Sequence, residues 1–152
     1  MSSEIIDKAK AVKDLGFKLA IHTSGVYPER LREILLLTDW VGLDIKAPWE
    51  KYEELTGRPN MVEQVQKSLQ ILVESKVDFE ARTTCDPRHL TPADTLKIAE
   101  ILHELGVKTY ALQKYRTFDT DKNPPSVVDI ESFFTPLALK PIQKLYPHLI
   151  CR

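Results

Sequence analysis

The sequence predicts an α/β fold, a partial (β/α) barrel of about four parallel strands with helices on the outside. Three observations carry this. Segments with apolar residues at helical spacing alternate with short apolar runs of strand length, the pattern of a parallel sheet with right-handed crossovers. The phrases Leu15-Gly16-Phe17-Lys18 and Leu105-Gly106-Val107-Lys108 each end a helix and feed a strand, which marks a recurring structural unit. No glycine fingerprint of a dinucleotide-binding sheet follows any strand, which favours a barrel, or part of one, over an open nucleotide-binding sheet.

From Ser3 to Leu15 the residues Ile5, Ile6, Ala9, Val12 and Leu15 recur at helical spacing, with Ser3 as cap and Gly16 as left-handed stop. Phe17 to His22 reads as a strand ended by Thr23-Ser24-Gly25. A helix follows from Pro28 to Leu37, with proline at its first turn. The strand beginning at Trp40 runs to Pro48, which has no N–H for the ladder. Glu50 to Leu55 is a short amphipathic piece closed near Gly57, and Met61, Val65, Leu69, Leu72 and Val73 mark a longer helix. Asp78 to Thr84 is the third strand, broken by Asp86-Pro87. Thr91-Pro92-Ala93-Asp94 starts a helix with a cap, a first-turn proline and an acid, and that helix stops at Gly106. Val107 to Gln113 is the fourth strand. Thr117 to Ser126 is a loop. Val127 to Phe134 and Pro136 to Leu145 are short helices parted near Thr135, and His148 to Cys151 is a short last strand. Residues 1–116 thus form the partial barrel, and residues 117–152 pack on it.

Charged residues are 28% of the 152 and hydrophobic residues 43%, the balance of a globular domain large enough for its own core. The net charge of -1 provides no global field for nucleic acid or an anionic membrane. No apolar run is long enough to span a bilayer and no signal peptide opens the chain. Cys85 and Cys151 lie far apart, with neither metal-site spacing nor a disulfide framework, so no metal ligands are assigned and a reducing cytoplasm is expected.

The chemistry gathers at the strand ends. They read His22-Thr23-Ser24-Gly25, Asp44-Ile45-Lys46, Arg82-Thr83-Thr84-Cys85 and Gln113-Lys114-Tyr115-Arg116. In a parallel sheet all four open onto one rim, where α/β folds place their ligands. Alternation along the second strand puts Gly42, Asp44 and Lys46 on one face. Such a rim suits a small ligand with both an anionic and a cationic group, such as an amino-acid moiety. Arg82, Lys46 or Arg116 holds its carboxylate, and Asp44 accepts from its amine or helps hold a cation. Structural readings compete: Asp44 and Lys46 neutralise each other, Glu80 and Arg82 satisfy each other, and His22 is a hydrogen-bonded packing residue. Cys85 is a small buried or loop residue without a histidine partner, and His89 and His103 lie at the surface. Trp49 and Tyr52 cover the core.

The stretch from Gly16 to Arg116 resembles the radical S-adenosylmethionine enzymes, above all the activating proteins of glycyl-radical enzymes and among those the anaerobic ribonucleoside-triphosphate reductase activating proteins. The carrying phrases are Asp44-Ile45-Lys46-Ala47-Pro48, Thr23-Ser24-Gly25, Arg82-Thr83-Thr84 and Leu112-Gln113-Lys114-Tyr115-Arg116, in that family's order and spacing. The resemblance implies a partial (β/α)6 barrel, of which this chain forms the later part. It implies an acid–lysine pair, Asp44 and Lys46, near the methionine part of S-adenosylmethionine. Thr23 falls near that cofactor and a monovalent cation, and Arg116 near the adenosyl group. Arg82, His22 and Gln113 join the cofactor-binding set, with His22 where relatives often carry an acid. The implied activity is reductive cleavage of S-adenosylmethionine to a 5′-deoxyadenosyl radical, which takes a hydrogen from a glycine of a partner enzyme.

The family's C-x-x-x-C-x-x-C loop, which binds a [4Fe-4S] cluster, is absent from this sequence, and Cys85 and Cys151 are too few and wrongly spaced to replace it. The expectation is therefore a cluster-free portion of an activating enzyme, inactive alone. Its exposed first strand would pair with the missing barrel portion or with a second copy. Two other readings remain open. One is a decarboxylase or aldolase barrel using Lys46 as a Schiff-base lysine, although Trp49 stands where the Asp-x-Lys-x-x-Asp signature needs an acid. The other is a half-barrel that only docks on another chain.

Overall fold

The structure is a computed structural model that describes residues 3–152, without the side chain of residue 3, so the cap assigned to Ser3 lies outside the described residues. In chain order the elements are α1 (Ser3–Asp14), β1 (Ala20–Thr23), α2 (Pro28–Leu35), β2 (Trp40–Asp44), α3 (Tyr52–Thr56), α4 (Met61–Glu74), β3 (Asp78–Cys85), α5 (Pro92–Glu104), β4 (Tyr110–Lys114), α6 (Val127–Glu131), α7 (Pro136–Leu145) and β5 (Ile150–Cys151). The strands pair in parallel in the order β1-β2-β3-β4-β5, with β1 and β5 at the edges. Sequential parallel order is what right-handed crossovers of one repeated unit generate.

The sheet has two unlike faces. Val41, Leu43, Ala81, Cys85, Tyr110 and Leu112 point to the side where the helices pack, and all are buried there with Leu31, Leu69, Leu72, Ile98, Leu102 and Ile142. The other face alternates with them and is polar, carrying His22, Asp44, Glu80, Arg82, Thr84 and Gln113. Local chemistry sets the helix starts. Pro28 opens α2, and Thr91 and Asp94 form a reciprocal capping box on α5. Gly57 ends α3 with φ +63°, and Asn60 precedes α4 with φ +62°.

The sheet has the four expected strands and, as β5, the expected short last one, but several strand limits differ. The first strand starts at Ala20, not Phe17, because its neighbour begins at Trp40 and offers no ladder partner earlier. Instead the Asp39 carboxylate accepts the Leu19 N–H at 2.6 Å and closes that end. The second strand stops at Asp44, ahead of Pro48, while the fourth begins at Tyr110 and not Val107.

Candidate functional site

The carboxyl ends of the strands share one rim, and a cleft of about 510 Å³ opens there. Its walls come from the loops after β1, β2, β3 and β4. Asp44, Lys46 and Arg82, three of the residues singled out in the sequence, line it together.

The register sets Asp44 on β2 directly beside Arg82 on β3. Arg82 Nε donates to Asp44 Oδ1 at 2.5 Å, with the arginine side chain 13% exposed. Two expected pairings are therefore corrected. Arg82 does not satisfy Glu80, which instead accepts from Arg152 Nη2 at 2.5 Å. Among the described residues Asp44 makes its ion pair with Arg82 and not with Lys46. The reason is geometric: residues two apart along a strand are separated by about 6.6 Å, whereas neighbouring strands lie about 4.8 Å apart. Gly42 lets this happen. A Cβ there would stand 2.5 Å from His22 Nδ1 and 3.1 Å from Arg82 Nη1, so the bare backbone is the bed on which Arg82 lies.

Lys46 is exposed. Its backbone N–H donates to the Tyr52 hydroxyl at 3.3 Å. Tyr52 is wholly buried, and that burial, helped by the nearby Asp44 charge and opposed by the Lys46 N–H, pushes its phenol up to about 12. Tyr52 therefore does cover the core, but it also pins the Lys46 backbone.

A second group closes the β3–β4 side. Arg88 grips the Asp86 carboxylate through Nε at 2.9 Å and Nη2 at 2.6 Å. The Arg88 guanidinium lies 4.6 Å from the Tyr115 ring centre, and the Tyr115 hydroxyl donates to Asp121 at 2.7 Å. Burial alone would raise the Asp86 carboxyl, but Arg88 and its backbone N–H outweigh that and hold it below its ordinary value. Sequence reading passed over Tyr52, Asp86 and Arg88 as site residues. The signal available was the Asp86-Pro87-Arg88 break directly after a strand.

The other residues assigned to the site lie elsewhere. Thr23 alternates to the helix side, where its Oγ1 accepts the Gly25 N–H at 3.0 Å and shapes a turn. His22 stands edge-on to Trp40 with centroids 5.5 Å apart. Gln113 pairs in register with Thr84, and Arg116 is exposed beyond β4; neither lines the cleft, where Tyr115 does. Among the described residues no group of three or more His, Cys, Asp or Glu side chains is placed to hold a metal. Cys85 is buried on the helix side, which pushes its thiol up to about 12, and Cys151 is exposed on β5. These two do not fit the ligand set of an iron–sulfur cluster.

No protein-family model matches the chain. It is 28% identical over 121 residues to the protein named "Putative glycyl-radical enzyme activating enzyme MJ1227" of Methanocaldococcus jannaschii, a match covering 76% of this chain and 50% of that relative. The chain thus spans about half the length of the curated relative it matches. A crystal structure of a domain of pyruvate-formate lyase-activating enzyme from Bacteroides vulgatus superposes with a TM-score of 0.72 at 15% identity, over 99% of this chain and 89% of that one. In sequence by the first comparison and in fold by the second, the chain resembles the radical S-adenosylmethionine activating enzymes of glycyl-radical enzymes.

Proposed function

We propose that this chain is the part of a glycyl-radical enzyme activating enzyme that receives the amino-acid end of S-adenosylmethionine. The single observation that carries the reading is the cleft in which Asp44, Lys46 and Arg82 meet at the strand ends. The donor set fits that group. Lys46 offers an ammonium for a carboxylate. Asp44 keeps Oδ2 clear of its bond to Arg82, which uses Oδ1, and can accept from an amine. Arg82 fixes the rotamer of Asp44, and Tyr52 fixes the backbone of Lys46. In this reading Arg116, exposed beyond β4, lies toward the adenosyl group, while Thr23, His22 and Gln113, which do not line the cleft, take no direct part in it. When bound, the cofactor supplies the one-electron chemistry that removes a hydrogen atom from a glycine of the partner, an anaerobic ribonucleotide reductase or similar enzyme.

The residues of this chain do not fit the [4Fe-4S] cluster, and no step is derived through it. The reaction therefore needs cluster ligands other than the two cysteines of this sequence. In this reading the domain is the partial barrel assigned to 1–116, to which 117–152 adds helices and the edge strand β5, and two free cysteines suit a reducing cytoplasm. No helix among the described residues is long and apolar enough to cross a membrane. The Schiff-base reading gains no support from Lys46, which is exposed, without the burial that activates such a lysine.

Calorimetric titration with S-adenosylmethionine tests the proposal. Binding is expected, about tenfold weaker in Lys46→Gln and in Asp44→Asn, with circular dichroism unchanged. Equal affinity in both variants, or no binding by the parent chain, overturns it.

A further inference from the structure

The charges of the cleft do not cancel, and the remainder has a location. Two carboxylates line it, Asp44 and Asp86. Arg82 occupies the first and Arg88 the second. Of the lysines and arginines that line the same cleft, Lys46 and Arg58 form no ion pair among the described residues. Lys46 is accounted for by the proposed cofactor carboxylate. Arg58 is left over.

The backbone that carries Arg58 is constrained, while its side chain is exposed. It sits in the turn between α3 and α4. Gly57 before it takes φ +63°, and Asn60 two residues on takes φ +62°. Pro59 between them has its own φ locked by its ring. The Asn60 N–H donates to Glu53 Oε1 at 2.9 Å, which ties the far side of the turn back to α3. A non-glycine residue in the left-handed region costs about 1 kcal/mol, so this turn is not a casual one. It presents a guanidinium, the side chain best shaped for a planar carboxylate, along a cleft in which Arg82 is taken up by Asp44. The wall beside it is apolar, with Leu55, Met61 and Leu90, and suits a chain carrying both side-chain types.

We propose that Arg58 receives a side-chain carboxylate of the polypeptide on which this site acts, so the recognised segment carries an acidic residue close to its reacting position. This rests on the reading of the cleft as the place where cofactor and polypeptide meet. Arg58 then selects the partner, while Lys46 and Asp44 hold the cofactor.

The test uses the whole chain and blocked peptides as probes: acetyl-Gly-Glu-Gly-Glu-Gly-amide, its Gln counterpart, and free glutarate. Affinities come from calorimetry, and the Arg58 Nε–H is followed by NMR. The glutamate peptide is expected to bind about fivefold or more tightly than the glutamine peptide and to shift the Arg58 signal. Arg58→Gln removes the difference, and Arg58→Lys keeps part of it. No preference for the acidic peptide overturns the proposal, as does a preference that survives Arg58→Gln. Glutarate binding as tightly as the glutamate peptide overturns the assignment to a polypeptide. S-adenosylhomocysteine titrated on the same variants separates the two readings. It is expected to bind Arg58→Gln like the parent and Lys46→Gln more weakly. Its failure to bind the parent, with the peptide preference intact, rejects the cofactor reading and leaves the anion receptor standing.

Discussion

Arg152, next after β5, reaches Glu80 on β3 two strands away, with Nη2 2.5 Å from Oε1. The Glu80 side chain is 5% exposed and that of Arg152 45%. Arg152 is the hydrogen-bond partner of the Glu80 carboxylate among the described residues, so its loss leaves a nearly buried carboxylate without its donor. Arg152→Gln should cost about 2 kcal/mol in urea unfolding, because an orphaned buried charge costs more than the pair contributes. Pairing it with Glu80→Gln should recover most of the loss. A single-variant loss below about 0.5 kcal/mol would mean that water reaches Glu80 freely.

Gly42 is expected to tolerate no side chain. The Cβ of Gly42→Ala meets His22 Nδ1, Arg82 Nη1 and Trp40 Cη2. His22 is exposed and can swing away, but Arg82 is tied to Asp44. We expect a loss of about 1–2 kcal/mol in stability and a fall in cofactor affinity beyond it. His22→Ala in the same background should restore stability in part and leave affinity low. Full recovery of both would place the conflict at His22 alone.

Acid should weaken the domain through Asp94. This carboxylate accepts from Thr91 N–H at 2.8 Å and from Lys51 Nζ at 2.9 Å. Burial raises its pKa, but the Lys51 and Thr91 bonds outweigh that and leave it below the ordinary 3.8. The stabilisation is therefore complete above the unfolded value and is lost as pH falls through the lower folded value. Asp94→Asn should cost about 1–2 kcal/mol at neutral pH and flatten the stability profile below pH 4. A profile as steep as the parent's in that variant would assign the acid sensitivity elsewhere.

The first strand should promote self-association. β1 has one neighbour in the sheet, and Phe17 and Tyr27 beside it are 64% and 68% exposed. An unpaired row of backbone groups next to apolar side chains recruits a like edge. Light scattering over a dilution series should show a dimer that dissociates, with slowed hydrogen exchange along 17–21 in the dimer. A strict monomer with fast exchange there would count against the edge as an interface.

The alternation of helices and strands was legible because one face of each helix and strand is apolar at fixed period, and that pattern survives in a single sequence. Asp44 and Lys46 announced the site because both lie within three residues of one strand end. The partners were not legible. Arg82 faces Asp44 across 38 residues of chain, and Arg152 faces Glu80 across 72, so register rather than sequence spacing decides them. Strand starts failed for the same reason: Phe17 has β-forming character, yet its neighbour offers no partner until Trp40. Thr23 looked like a rim residue because it sits at a strand end, but the two-residue period turns it to the helix side.

A sheet with its helices on one side has a consequence for what substitutions do. Almost all the apolar burial that drives folding is complete on the side away from Asp44, Glu80 and Arg82. Apart from Gly42 and the Glu80–Arg152 pair, residues on its polar face carry little of the packing, and substitutions there should alter what is recognised more readily than whether the domain forms.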